Sequence, residues 1–206
     1  RKLNPEAAVG VCGCYAQSAP DEVRKLDVDV LVGTADRAEF ITRMQQAAQD
    51  RSRRWERVED AGAPRGFERL PAGGLAARTR ALLKVEDGCN NFCTYCIIPY
   101  ARGRVRSLPL AAAVEQTRQL ADAGYREIVV NGIEISSWGA EWKDGSTLAE
   151  LLAAICAAAP QVRIRLGSLE PRTVTEDFCR ALAGFQNLCP QFHLSLQSGS
   201  DTVLSR

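Results

Sequence analysis

The chain has 206 residues, 46% of them hydrophobic and 25% charged, with 26 Lys and Arg against 25 Asp and Glu. That is enough apolar side chain for a sizeable core, and a charge balance near zero does not by itself demand a polyanionic partner. No apolar run approaches a membrane span and no signal peptide opens the sequence, so a soluble, cytoplasmic protein without a membrane partner is expected.

From the N-terminus, residues 7–11 and 28–32 read as short buried strands. Residues 19–26 and 37–50 read as helices, with Asp36 placed to cap the second. Residues 1–55 are thus expected to be the C-terminal part of a small α/β domain. Cys12 and Cys14 lie two positions apart, on what would be one strand face. A metal ligand and a buried strand thiol both remain open to Cys12. Residues 56–80 carry charges, glycines and the prolines Pro64 and Pro71 without sustained periodicity, and read as a linker with room for an extended edge strand. Arginines crowd this half: Arg51, Arg53, Arg54 and Arg57, then Arg65, Arg69, Arg78 and Arg80.

Residues 81–206 repeat a strand–helix unit. Strands are expected at 81–85, 127–131, 163–167 and 193–196, with helices at 108–123, 147–158 and 175–182 and Pro109 near the first turn of the first. Such alternation implies parallel strands with right-handed crossovers, hence the first half of a (β/α) partial barrel. In barrels the loops beyond the carboxyl ends of the strands build the active site. Arg165, on an alternating strand, would either face inward and pair with a carboxylate or lie on the surface. Cys156, Cys179 and Cys189 have apolar neighbours and read as core or incidental. The chain starts at Arg1 and stops within what reads as a helix start at Asp201, as a piece of a longer protein would.

The loop after the first of these strands carries Gly88-Cys-Asn-Asn-Phe-Cys-Thr-Tyr-Cys96. Three cysteines spaced C-x3-C-x2-C can ligate three irons of a four-iron cluster and leave the fourth open to a small molecule. Other readings compete. The spacing also makes one stripe of a helix, although Asn90, Asn91 and Pro99, with Gly88 and Gly103 at the ends, favour an irregular loop. A structural zinc site needs a fourth ligand, and His193, the only histidine, is far along the chain. A disulfide fits an intracellular-looking chain poorly. These alternatives leave a zinc-stabilised RNA-binding module and an electron-transfer iron–sulfur protein as competing functions.

The run from Val85 to Arg104, with Gly13-Cys-Tyr-Ala-Gln, Arg163-Ile-Arg-Leu-Gly-Ser-Leu-Glu-Pro and Phe192-His-Leu-Ser-Leu-Gln-Ser-Gly-Ser, resembles the radical S-adenosylmethionine (SAM) methylthiotransferases. Within them it is most similar to the bacterial enzymes acting on threonylcarbamoyladenosine in tRNA. The resemblance implies that Cys89, Cys93 and Cys96 ligate a catalytic [4Fe-4S] cluster, with SAM on its open iron and Tyr95 beside the cofactor. It implies a radical that takes hydrogen from adenine C2 before a methylthio group is installed at adenosine 37 of the anticodon loop. An electron donor is also implied. Relatives acting on isopentenyladenosine or on a ribosomal-protein aspartate are the near alternatives.

The resemblance further implies that Gly132 and Glu134, in Asn131-Gly-Ile-Glu, meet the SAM amine, and that Glu170, Ser195 and Gln197 meet its ribose or methionine. Ordinary turn or core roles are the alternative for each. A second [4Fe-4S] cluster belongs to the family's first domain, where only Cys14 matches; the other two ligands would precede Arg1. Arg102, Arg104 and Arg106, two apart, would project together from an extended backbone toward RNA phosphates. Otherwise they form a solvated basic loop, or one of them pairs with a carboxylate such as Asp87.

Overall fold

The computed structural model describes residues 2–71, 73 and 79–205; Arg78 and residues 72 and 74–77 of the expected linker lie outside the described residues. The contacts fall into two compact units that do not follow chain order. One takes the described residues up to Leu70 together with Gly88–Arg104, the other those of Pro71–Asp87 and Val105–Arg206.

The first unit is built on a parallel sheet in the order β1-β2-β3, from β1 (Gly10–Cys12), β2 (Val30–Val32) and β3 (Trp55–Arg57). β3 is the edge strand, paired in parallel with β2. β2 is apolar on both faces because it is the middle strand. Leu31 packs with Ala16, Val23 and Val28, while Val30 and Val32 pack with Ala47, Phe40, Met44 and Trp55. α2 (Pro20–Arg24) falls within the helix expected at 19–26, and α1 (Cys14–Ser18) is a further short helix before it that the pattern did not suggest. Pro20 has no N–H with which to continue α1, so it opens a new helix.

The next helix, α3 (Arg37–Gln49), starts as expected but without its cap. Asp36 makes no side-chain capping bond; its backbone is left-handed at φ 52°, and its carboxylate pairs with Arg57 of β3 at 3.1 Å. An ion pair to a distant strand has taken the oxygen that a local pattern assigned to the helix. A fourth helix, α4 (Ile98–Arg102), also belongs to this unit and lies against α1. Thr34 Oγ1 donates to the Ala101 carbonyl at 2.7 Å, and Arg65 Nη2 to the Arg102 carbonyl at 2.7 Å.

The second unit opens with β4 (Arg80–Lys84), followed by the two-residue strands β5 (Glu86–Asp87) and β6 (Arg106–Ser107), which pair antiparallel. Then come α5 (Leu110–Asp122), β7 (Glu127–Asn131), α6 (Leu148–Ala158), β8 (Arg163–Leu166), β9 (Ser168–Leu169), α7 (Glu176–Leu182), β10 (His193–Leu194) and α8 (Asp201–Leu204). β4, β7 and β8 form a parallel sheet in that order, and β10 pairs in parallel with β9. This is the α/β architecture expected of a partial barrel. Alternation sorts the strands into two faces. Ala81, Leu83, Ile128, Val130, Ile164 and Leu166 are buried on one. Arg80, Leu82, Glu127 and Arg165 are on the other, more exposed face, where Arg165 Nε meets the Glu127 carboxylate at 2.9 Å.

Helix starts follow local rules here. Pro109 precedes α5 as its N-cap residue instead of lying within its first turn. Thr147 and Glu150 form a reciprocal capping box on α6, worth roughly 1 kcal/mol against Ala. Cys156 and Cys189 are buried and Cys179 is exposed. Burial pushes the Cys156 thiol up to about 11, so it stays protonated.

Candidate functional site

In the first unit the site is the cysteine loop. Gly88 has φ +87°, and a Cβ there would stand 2.0 Å from the Arg104 carbonyl oxygen, so only glycine lets the two ends of the loop approach. Cys89 N–H donates to the Gly103 carbonyl at 3.0 Å and closes the loop's neck. Between Cys89 and Ile97 no helix forms, which removes the helical-stripe reading of the cysteines. Instead Phe92 turns the chain at φ +48°, a left-handed conformation rare for a bulky side chain, and Cys96 N–H donates to the Cys93 carbonyl at 2.9 Å. Pro99 stands in the first turn of α4, which follows at once.

None of the eight cysteines is joined in a disulfide. Cys89 is buried and receives the Asn91 N–H on Sγ at 3.5 Å; Cys96 is half-buried and Cys93 exposed. Among the described residues no three Cys, His, Asp or Glu side chains converge on a point as a single metal ion requires. A four-iron cluster asks for something different, because each thiolate meets a different iron and N–H donors to sulfur tune it. Three thiols on one irregular, neck-closed loop, one already accepting an amide N–H, fit that group. Tyr95 is exposed, and its phenol is raised above the ordinary range by desolvation, then by the nearby Cys93 and Cys96 sulfurs. It therefore sits among the thiols.

The arginines of this segment do not share an extended face. Arg102 ends α4, and Arg104 stacks its guanidinium 4.6 Å over the Phe92 ring, which meets Tyr100 edge-on at 5.4 Å. Arg106 is buried in β6 and pairs with Asp87 at 3.0 Å, so it is not an RNA-facing residue. The β5–β6 pairing sets Arg106 opposite Asp87, the alternative partner that the sequence allowed.

In the N-terminal part of the same unit, Cys14 is the first residue of α1 and half-buried, after Gly13 at φ +104°. It does not continue the strand of Cys12. Cys12 itself is exposed at the end of β1, contrary to the buried-thiol reading, while Val11 before it packs on the Leu31 cluster.

In the second unit the carboxyl ends of the parallel strands gather the remaining candidates. Gly132 follows β7, and a Cβ there would stand 2.7 Å from Glu86 Oε2, so glycine makes room for that carboxyl group. Glu86 Oε2 accepts the Glu134 N–H at 2.7 Å. The Glu134 carboxylate accepts from Ser136 N–H at 3.0 Å and from the Ser137 hydroxyl, capping a 3-10 turn at Ile135–Ser137. Ser136 Oγ in turn accepts the Glu170 N–H at 3.2 Å, so Glu134 and Glu170 belong to one connected group. Glu170 also pairs with Arg172 at 2.7 Å. Ser195 N–H donates to the Leu169 carbonyl at 2.9 Å, which sets it beyond the end of β10. Gln197 is exposed at φ +66° and donates to the Ser195 carbonyl at 3.2 Å.

Glu86 escaped the sequence reading, and Asp87 entered it only as an alternative partner for an arginine. Glu86 is fully buried, and its carboxyl is pushed up to about 8, chiefly by burial. Asp87, 1% exposed, is held by Lys84 at 2.5 Å and Arg106 at 3.0 Å. The available signal was an acidic pair inserted between an apolar strand and the cysteines, where solvent-exposed loop acids are the ordinary expectation.

Comparison with known proteins agrees with this geometry. Over its whole length the chain is 39% identical to a threonylcarbamoyladenosine tRNA methylthiotransferase of Bacillus subtilis and 37% identical to one of Thermotoga maritima, covering 46% of each. It is 32% identical, again over its whole length and 46% of the relative, to a tRNA-2-methylthio-N(6)-dimethylallyladenosine synthase of Clostridium tetani. The chain thus spans about half the length of the curated relatives it matches. The radical SAM superfamily matches residues 83–206. That match begins inside β4, the strand leading to the three thiols, and runs on to the last residue, which makes the chain a member of the radical SAM superfamily.

Proposed function

We propose that this chain is part of a tRNA methylthiotransferase that adds a methylthio group at C2 of N6-threonylcarbamoyladenosine 37. The observation that carries this reading is the 39% identity, across the whole chain, to a relative bearing that name. The dimethylallyladenosine synthases, which match over the same span, support isopentenyladenosine 37 as the second reading.

Cys89, Cys93 and Cys96 would hold the [4Fe-4S] cluster and leave one iron for SAM. When bound, the two supply one-electron cleavage of the sulfonium and hence a carbon radical able to take hydrogen from adenine. The chain's own work is to place the reactants and keep other hydrogen donors away. Gly132 and Glu134 are the proposed contacts of the SAM amine, with Glu170, Ser195, Gln197 and Tyr95 around the rest of the molecule. Cys14 is the proposed ligand of a second [4Fe-4S] cluster.

Arg104, stacked on Phe92 beside the exposed Tyr100, is the proposed RNA contact, since planar guanidinium and aromatic groups stack on unpaired bases. The partners are the tRNA anticodon loop and an electron donor, and the setting is the cytoplasm. Among the described residues no helix is long and apolar enough to cross a membrane.

Nucleoside analysis of tRNA from a deletion strain tests the reading. The methylthio group should vanish from threonylcarbamoyladenosine and return with the gene. Loss from isopentenyladenosine instead selects the second reading, and unchanged nucleosides of both kinds sink both. Replacing Tyr100 and Arg104 together by Ala should weaken tRNA binding about tenfold while iron content stays the same. Unaltered binding would remove that surface from the proposal.

A further inference from the structure

Glu86 lies outside the thiol triplet and outside the Gly132–Glu134 segment, yet it touches the second and stands three residues before the first. It has no solvent exposure. A carboxyl group in such a place is costly unless its oxygens are used. One of them is: Glu86 Oε2 accepts the Glu134 N–H at 2.7 Å, and the Ile133 N–H also acts on this carboxyl. The other, Oε1, is buried with no hydrogen-bond partner, as is Asn131 Oδ1 at the end of β7. The space is closed from the other side by Gly132, whose absent Cβ would stand 2.7 Å from Oε2 and 2.9 Å from the Glu86 Cβ and carbonyl oxygen. The backbone contributes too, since Val85 N–H donates to the Asn131 carbonyl at 2.8 Å.

These observations share one consequence. The turn at residues 131–134 has no hydrogen-bonded strand of its own beyond Asn131, and the Glu86 carboxyl supplies the acceptor that its successive N–H groups need. The acidic side chain serves the turn like a template, with Gly132 pressed against it. Its elevated proton affinity, about 8, follows from burial and the neighbouring Asp87 and Glu134. A neutral carboxyl is what such a site tolerates best.

We infer that Glu86 is a positioning residue for SAM: it shapes the Gly132–Glu134 turn against the end of β4 so that the turn can receive the cofactor's amine end. It acts through that turn and needs no direct contact with the cofactor. The inference rests on the cofactor that the superfamily uses, whichever RNA is modified.

The test uses anaerobically reconstituted holoprotein and reads SAM affinity by equilibrium dialysis, iron content, and amide hydrogen exchange at residues 133 and 134. Glu86→Ala removes the acceptor, and Glu86→Gln keeps a neutral acceptor of the same volume. Glu86→Ala should weaken SAM binding about tenfold, as expected for one lost buried hydrogen bond, and speed exchange at both amides, with iron content equal to wild type. Glu86→Gln should restore both readouts to within about twofold. Should Glu86→Ala not fold, Gly132→Ala attacks the same contact from the opposite side and should give the same loss of SAM with iron retained. Unchanged SAM affinity in the folded variants overturns the inference. So does a loss of iron that parallels the loss of SAM, because Glu86 would then support the fold of the loop and not the cofactor turn.

Discussion

The chain carries cysteines in two turns of its first unit, and the two are built differently. The Cys89–Cys96 loop is closed at its neck by Gly88 and Gly103, and its far end, α4, is held by carbonyl hydrogen bonds from Thr34 and Arg65. The Cys12–Cys14 turn has one glycine, Gly13, whose N–H donates to the Gly33 carbonyl at 3.0 Å, and it leaves Cys12 exposed. A loop that must present three thiols to different irons needs its backbone constrained at both ends. A turn that offers one ligand needs less. The difference separates a loop constrained at both ends, carrying three proposed cluster thiols, from a less constrained turn carrying one proposed ligand.

The sharpest way to break this comparison is to remove one thiol from each turn. Cys93→Ala should abolish the SAM-perturbed four-iron EPR signal altogether, whereas Cys14→Ser should leave that signal intact. Equal losses from the two variants would show that the two turns are not independent.

Below that in size comes the ion pair beside the loop. Asp87→Asn leaves the Arg106 guanidinium buried without its carboxylate. The cost should be about 3 kcal/mol, read from urea melts. A change under about 0.5 kcal/mol would mean that the pair is no stronger than a surface one.

The smallest expected effect is a pH dependence. Glu86 titrates near 4.5 when exposed and is pushed up to about 8 in the fold. Between those values the folded protein keeps a proton that the unfolded chain has released. The contribution of this group is therefore complete below pH 4.5 and is lost as pH rises toward about 8. Glu86→Gln abolishes that loss: it should match wild type near pH 4.5 and gain on it in stability as pH rises toward about 8. A pH-independent difference in urea midpoint would contradict the assignment.

What was legible in the sequence was local. The thiol spacing, the glycines that bracket it and the strand–helix order all arise from neighbours within a few residues, where side-chain chemistry and backbone sterics act directly. β7 kept its expected limits, while β10 shortened to His193–Leu194. What tertiary structure decided was the partner of each charge. Asp36 left its helix for Arg57, Arg106 turned inward to Asp87, and Glu86 became a buried acceptor for a turn 48 positions away. The grouping of Gly88–Arg104 with the N-terminal residues is of the same kind, since it depends on Thr34 and Arg65, far away in sequence. A charged side chain takes whichever partner the fold brings within about 3 Å, and no local pattern records which that will be.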